Sequence, residues 1–198
     1  TLGTLLRERI TNSNGADAKR EIIDFWIGTP ESEHERIADI QRPASPPALG
    51  EINEFRTAAF LTKWAAPNRG GAQWRTTEIP SANGHGTAKA VARLYGAYAN
   101  KGMIGETAVC AAPGQYEALT RRRSFGEDRV LPYTMEFAAG VMRNNNKIYG
   151  PNPETLGHAG WGGSCGFGDP LRGLSVGYVM NRQSNQLQTD ERAQRLIA

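Results

Sequence analysis

The sequence predicts an α+β fold in which helices cover an antiparallel sheet. Apolar residues recur at helical spacing in several segments before residue 132, whereas the period after Tyr133 is that of strands. Turn-forming stretches separate the strand-like segments, as in an antiparallel sheet. Helices followed by such a run of strands and by a closing helix are typical of this class.

Five helices are predicted ahead of the sheet. The clearest one begins after Thr87, whose hydroxyl is a good N-cap, and ends at Asn100-Lys101-Gly102. A short strand or apolar turn is expected over residues 22–28. Prolines and glycines fill much of residues 43–80, which we interpret as a loop-rich insertion. The helices are expected over residues 1–10, 30–40, 51–64, 88–99 and 113–122.

Three strands and a final helix are predicted in the last third of the chain. The strands are expected over residues 134–142, within 158–170 and over 174–181, with turns at 144–154 and 169–173. Acidic residues begin the helix over 190–198, as the helix dipole favours. We therefore divide one domain into a mainly helical region, 1–132, and a strand region, 133–198.

Composition excludes several classes of function. The 198 residues carry 23 basic and 20 acidic side chains, a net charge of +3, which is too balanced for a dedicated nucleic-acid binder. We interpret Arg121-Arg122-Arg123 as a solvated turn or helix end. No run approaches the roughly 18 apolar residues of a membrane span. Cys110 and Cys165 match no zinc spacing and are expected to be free thiols, which favours the cytoplasm while leaving the compartment open. We expect no metal and no cofactor.

The stretch HAGWGGSCGFGDP, residues 158–170, is the most informative segment because five of the nine residues from Gly160 to Gly168 are glycine. Three interpretations compete: a phosphate-binding loop, a nucleophile on a sharp turn, or a strand that a ligand approaches closely. A phosphate loop requires G-x-x-x-x-G-K-[ST], or G-x-G-x-x-G before a helix, and neither pattern is present.

The second interpretation also fails on sequence order. Gly162 to Gly166 formally satisfies G-x-S-x-G, but such a serine precedes a helix and its histidine follows it in the chain, whereas the last histidine here is His158. Nothing local would activate Cys165 as a thiolate. The third interpretation remains, and backbone N–H groups on such a strand can stabilise an oxyanion, which indicates acyl transfer.

The chain resembles the C-terminal half of serine hydrolases related to class C β-lactamases and penicillin-binding proteins, in particular the family VIII esterases. The matching segments are His158-Ala159-Gly160, 162–170 and 177–181, with weaker matches at 28–38 and 83–99. The resemblance implies an α/β/α sandwich of the β-lactamase/transpeptidase type. It also implies an acyl-enzyme mechanism with a small-molecule ester or amide as substrate.

The sequence departs from the family in one large respect. The family's nucleophile lies in Ser-x-x-Lys, which does not occur in residues 1–198, and its proton-shuttling tyrosine lies in a second motif. Tyr98-Ala99-Asn100 imitates that second motif, but it falls inside a predicted helix, so we interpret Tyr98 as a helix-face residue. We therefore expect the nucleophile on a missing N-terminal segment or a companion chain, and this chain alone to be inactive.

The resemblance assigns roles to a small set of residues. His158 would line the site and donate a hydrogen bond to the substrate or to the tyrosine. The backbone N–H of Trp161, after Gly160, would be an oxyanion donor. Ala159, Ser81 and Asn83 are candidate substrate contacts, although Ser81 and Asn83 also suit a loop and helix-capping role.

The expected activity is that of a carboxylesterase. The alternatives are a β-lactamase or D-aminopeptidase, or an inactive binding protein of the same fold. His34 and His85 are expected to be solvated polar residues near helix starts.

Overall fold

A computed structural model describes residues 1–11, 22–62, 70–188 and 190–197, and a six-stranded antiparallel sheet is its largest element. Two small two-stranded sheets, Phe25–Ile27 with Gly84–Gly86 and Met103–Ile104 with Thr107–Ala108, lie outside it. The helices are α1 (Leu2–Leu6), α2 (Glu54–Arg56), α3 (Ala72–Thr76), α4 (Ala88–Ala99), α5 (Gln115–Thr120) and α6 (Glu191–Ile197). The strands are β1 (Phe25–Ile27), β2 (Gly84–Gly86), β3 (Met103–Ile104), β4 (Thr107–Ala108), β5 (Ser124–Glu127), β6 (Thr134–Phe137), β7 (Met142–Arg143), β8 (Leu156–Ala159), β9 (Cys165–Asp169) and β10 (Leu174–Tyr178).

The large sheet is a meander in which each strand pairs with its sequence neighbour, in the order β10-β9-β8-β7-β6-β5. The β9–β10 pair aligns Leu174 with Asp169 and Tyr178 with Cys165. Tight turns make this neighbour-to-neighbour pairing the simplest solution for an antiparallel sheet. The turns predicted at 144–154 and 169–173 are confirmed.

Helix α4 covers one face of the sheet and confirms the clearest helix of the sequence. The Thr87 hydroxyl accepts a hydrogen bond from the backbone N–H of Ala90 at 3.1 Å, so the helix starts at the predicted cap. Asn100 ends it, and Lys101 and Gly102 follow with φ angles of 50° and 95°. Tyr98 lies within α4 and packs against the core, as a helix-face residue would.

Glycines in β9 and β10 let α4 lie unusually close to the sheet. A Cβ added at Gly168 would lie 2.6 Å from the Tyr95 carbonyl oxygen and 2.7 Å from the Ala99 nitrogen. At Gly177 it would lie 2.6 Å from the Ala92 nitrogen. These contacts are with helix backbone, which cannot move aside as a side chain could. The glycines at these positions are therefore explained by helix packing rather than by a ligand.

Helix α6 packs on the opposite face, which completes an arrangement of helix, sheet and helix. Ala193 of α6 is fully buried in a core with Met135, Tyr149 and Phe167. The Tyr149 and Phe167 rings stack with centroids 5.5 Å apart. The α+β class with an antiparallel sheet between helices, predicted from the sequence, is therefore confirmed.

Three predicted helices differ from the structure. The segment expected as a helix over 30–40 is a 3₁₀ helix, Glu31–Arg36. The helices expected over 1–10 and 51–64 are short α-helices that continue as single π turns, Arg7–Thr11 and Thr57–Leu61; residues 63–64 fall outside the described residues. The predictions over 88–99 and 113–122 have the correct type, and Arg121, Arg122 and Arg123 are exposed beyond α5, as expected.

The predicted strand region was too simple. Among the described residues from 133 onward, five strands replace the three expected, and a sixth, β5, already begins the sheet at Ser124, so a division at 132/133 cuts between β5 and β6. The strand expected over 134–142 is a β6–β7 hairpin in which Phe137 pairs with Met142. The glycine-rich stretch, expected to hold one strand, holds the end of β8, a turn and β9. Turn residues inside these apolar segments reverse the chain where a period-two pattern alone would continue it.

His34 and His85 also differ from expectation, because both contact Thr29 instead of standing in solvent. Thr29 is buried, and its hydroxyl lies 2.9 Å from His85 Nδ1. His34 Nε2 lies 3.0 Å from the Thr29 carbonyl oxygen. His85 is a half-buried residue of β2, and burial lowers its pKa. Both histidines therefore help to hold the chain around Thr29.

In the described ranges, no helix combines the length and the apolar character that crossing a bilayer requires.

Candidate active site

The hairpin between β8 and β9 presents the residues that the sequence singled out. Pairing of His158 with Gly166 and of Ala159 with Cys165 brings the strands to a turn over residues 160–164. The Gly160 N–H donates to the Ser164 carbonyl at 2.7 Å and closes that turn. His158, Ala159, Gly160 and Trp161 thus lie together at one end of the sheet.

His158 lies on the same face of the sheet as α4. Cross-strand partners point to the same side, and a side chain at its partner Gly166 would collide with Tyr95 and Val91 of α4. The His158 side chain is exposed, with the Phe137 ring at a centroid distance of 6.5 Å. An imidazole at this strand end is therefore open to a ligand.

The hydrogen bond of His158 defines what its ring offers to a ligand. Its Nδ1 lies 3.0 Å from the Ala159 carbonyl oxygen, and a carbonyl can only accept, so Nδ1 carries the hydrogen. Desolvation by the surrounding protein lowers the pKa of His158, with the bond to Ala159 opposing it, so the ring is neutral at pH 7. In that tautomer Nε2 accepts a hydrogen bond. The sequence led us to expect His158 as a donor, whereas in this tautomer the neutral ring offers Nε2 as an acceptor.

The strand that carries His158 is an interior strand of the large sheet. Strand β8 lies between β7 and β9. However, β7 pairs only with Leu156 and Gly157, so none of the described strands pairs with His158 or Ala159 on that side. The last two residues of β8 thus form a local edge within the sheet.

The three residues after His158 differ in which of their groups could contact a ligand. The Ala159 side chain is buried in the core, which leaves its backbone as the group near the site. Gly160 is exposed, and a Cβ there would meet only the Ser164 carbonyl oxygen at an ordinary 3.7 Å. Trp161 is half-buried, with its indole nitrogen inside the protein. Gly160 is accordingly the glycine of this turn that has an open face.

Ser164 and Cys165 do not have the setting of nucleophiles. A serine on a nucleophile elbow precedes a helix, whereas Ser164 precedes strand β9. Cys165 is buried, and burial together with the charge of Asp190 raises the pKa of its thiol to about 11. A thiol with that pKa carries almost no thiolate at neutral pH. Both observations agree with the reasons for which the sequence excluded Ser164 and Cys165 as nucleophiles.

Ser81 and Asn83 lie elsewhere, on the turn before β2 of a separate sheet. Asn83 is 1% exposed. Its side-chain oxygen accepts from the Ile79 N–H at 2.9 Å, and its amide nitrogen donates to the Trp74 carbonyl at 2.6 Å. The amide therefore stabilises its own loop, which is the structural role that the sequence left open. Ser81 is exposed at the tip of the turn.

Sequence reasoning missed a set of residues that hold the glycine turn from outside. The Gly162 N–H donates to the Gln186 carbonyl at 3.0 Å, and its carbonyl accepts from Ser184 at 2.9 Å. Gln183 and Asp190 fill the space beside Gly162 and Gly163. In the sequence, Asp190 is recognisable only as an acidic residue at the start of a helix, which is too common a feature to indicate a role at the site.

The described residues offer no metal site, since no three His, Cys, Asp or Glu side chains within them gather closely enough to hold an ion. Cys110 and Cys165 are free thiols, as predicted.

A sheet between helices, with a His-x-Gly strand end beside a glycine-rich turn, is the arrangement expected of the class of proteins with the β-lactamase fold. Comparison with known proteins agrees with that class. The β-lactamase family model matches residues 1–198, so the chain belongs to the β-lactamase family.

Relatives of this chain include esterases and a penicillin-binding protein homologue. The chain is 37% identical over 130 residues to the esterase/β-lactamase LipL of Mycobacterium tuberculosis, covering 65% of this chain and 29% of that protein. A penicillin-binding protein homologue from Caulobacter crescentus superposes with a TM-score of 0.90 at 50% identity, over 100% of this chain and 51% of that chain. A family VIII carboxylesterase superposes with a TM-score of 0.81 at 34% identity, over 100% of this chain and 50% of that chain. The chain thus spans about half the length of these solved relatives.

Proposed function

We propose that this chain supplies the oxyanion strand of a carboxylesterase-like serine hydrolase that acts through an acyl-enzyme. The observation that carries the proposal is the hairpin end at which His158, Gly160 and Trp161 lie together beside an open strand edge. The nucleophile, in Ser-x-x-Lys, lies outside these 198 residues, on a preceding segment or a companion chain. The matched relatives, about twice as long as this chain, support that division.

In the proposed reaction, the serine hydroxyl adds to the ester carbonyl carbon, and its proton passes to the lysine and tyrosine of the other half. The carbonyl oxygen becomes an oxyanion, which accepts a hydrogen bond from the Trp161 backbone N–H and from the N–H of the nucleophile. Collapse expels the alcohol with a proton, and water then hydrolyses the acyl-enzyme. One such donor is typically worth about 100- to 1000-fold in rate.

His158 has a role in this proposal that follows from its tautomer. Its Nε2 accepts a hydrogen bond from the tyrosine hydroxyl or from a donor on the substrate. A neutral acceptor gives no charge attraction to a carboxylate, unlike the lysine of β-lactamases. Neutral esters are therefore the favoured substrates over anionic β-lactams.

A substrate comparison on the longest natural product that contains this chain tests the proposal. Short p-nitrophenyl esters should be hydrolysed with kcat/KM at least tenfold above that for nitrocefin or D-amino-acid amides. Preference for nitrocefin or for the amides would instead identify the β-lactamase or D-aminopeptidase alternative. No hydrolysis of any of them would favour an inactive binding protein of the same fold.

A further inference from the structure

Glycine occupies three of the five positions, 160–164, of the turn that carries Trp161. Within the turn, the Gly160 N–H donates to the Ser164 carbonyl at 2.7 Å and the Gly163 N–H donates to the Gly160 carbonyl at 3.2 Å, so the turn depends on few internal bonds. Gly162 and Gly163 have φ angles of 93° and 121°, which glycine adopts without strain. Such a turn can hold a backbone N–H at one place only if neighbouring groups fix it. The neighbouring groups come from residues 182–188 and from Asp190, which together we call the bracing segment.

The bracing segment binds the turn at Gly162 through two main-chain hydrogen bonds. The Gly162 N–H donates to Gln186, and the Ser184 N–H donates to the Gly162 carbonyl, at 3.0 and 2.9 Å. A Cβ at Gly162 would lie 2.7 Å from Gln183 Cγ. The turn and the segment thus fit each other without spare room.

Asp190 fixes the far end of the bracing segment. It is 3% exposed, and its Oδ1 accepts from the N–H groups of Arg192 and Ala193 at 3.0 and 3.1 Å, which caps α6. Its Oδ2 accepts from Arg192 Nε at 2.9 Å. Arg192 in turn donates to the Arg182 carbonyl at 2.8 Å, so one carboxylate links α6 to the start of the segment.

The Asp190 carboxylate also packs directly against Gly163. A Cβ at Gly163 would overlap the Asp190 carboxylate, with its Cγ at 2.8 Å. The turn can therefore move no closer to α6, and the carboxylate fills the space into which it would otherwise relax. The contact lies two residues from Trp161, the oxyanion donor proposed above.

We infer that Asp190 is a positioning residue for the oxyanion turn, acting through Gly163 on the Trp161 N–H. The inference rests on the proposed function, because it requires an oxyanion to form at this turn. Asp190 does not touch the substrate. Its effect is to keep a flexible glycine turn in the one geometry that stabilises the transition state.

The test compares Asp190→Ala and Asp190→Asn in the longest natural product, with kcat expressed per active site counted by the p-nitrophenol burst. Asp190→Ala should lower kcat about tenfold with KM within twofold. The Trp161 N–H would then be displaced, and a displaced donor gives only part of the transition-state stabilisation that a correctly placed donor gives. Asp190→Asn keeps the side-chain volume against Gly163 and the Oδ1 cap. It should keep kcat within about threefold of wild type.

Asp169→Ala is the matched control. Asp169 is also buried, at 5% exposure, and pairs with Arg172 at 3.1 Å, but it lies at the opposite end of β9 from the turn. It should lower stability while leaving kcat per active site unchanged. An unchanged kcat in Asp190→Ala, or equal losses in Asp190→Asn and Asp190→Ala, overturns the inference. Lack of esterase activity in the wild type would instead refute the proposed function.

Discussion

The single residue that most affects substrate preference in this account is His158. The motif that it occupies carries a lysine in the β-lactamases that the sequence resembles, and a lysine offers a fixed charge with three donors. His158 offers a neutral ring whose Nδ1 is committed to the Ala159 carbonyl at 3.0 Å. The motif and the residue type were readable from the sequence. The tautomer was not, because it depends on where a backbone carbonyl lies.

The pH profile of ester hydrolysis tests this view of His158. The folded protein holds the pKa of His158 below its ordinary value of 6.5, so the ring gains its proton, and loses Nε2 as an acceptor, only at lower pH. We expect kcat/KM to fall below pH 6.5. In His158→Gln that decline should disappear and the plateau should drop about tenfold, as for the loss of one hydrogen bond.

His34→Gln is the control for this experiment, because His34 lies in the 3₁₀ helix Glu31–Arg36 and not on the sheet. It should retain the decline at low pH. A decline that persists unchanged in His158→Gln would show that another group titrates, and the role given to His158 would be wrong.

Among the elements, helix α4 and the β9–β10 hairpin were predictable from the sequence, and the β8–β9 hairpin was not. Three sequence signals predict helix α4: the Thr87 cap, the spacing of its apolar residues and the glycine that follows it. The β8–β9 hairpin carries no such signal, since glycines have no side chains to show a period of two. The sequence alone favours the interpretation that these glycines leave the strand open to a substrate. The structure assigns Gly168 and Gly177 to the approach of α4, and among the glycines of the turn 160–164 it is Gly160 that has an open face.

Two glycine substitutions separate these explanations. Gly168→Ala would place a Cβ 2.6 Å from a backbone oxygen of α4, and we expect it to lower the free energy of unfolding by about 1–3 kcal/mol. Gly160→Ala meets only an ordinary contact and should change that free energy by less than about 0.5 kcal/mol. Urea unfolding of both variants measures the difference. Equal midpoints would contradict the packing explanation.

At the scale of the whole molecule, the fold and the family are shown, while the proposed reaction requires a nucleophile that we place outside residues 1–198. The α+β class and the family were readable from the sequence because several motifs survive together. The extent of the sheet was not, because β7 pairs through only two residues and β5 is exposed throughout. Residues 1–198 contain no Ser-x-x-Lys, and this absence is the reason that the proposed function places the nucleophile elsewhere.

The central claim, that this chain supplies the oxyanion strand to a serine located elsewhere, is tested most directly by mapping a covalent label. A fluorophosphonate probe is reacted with the longest natural product containing this chain, and the labelled peptide is identified by mass spectrometry. The account predicts one labelled serine, in a Ser-x-x-Lys outside residues 1–198, and no label when the 198-residue chain is treated alone. A label on Ser164, or no labelled serine in the native material, would contradict it.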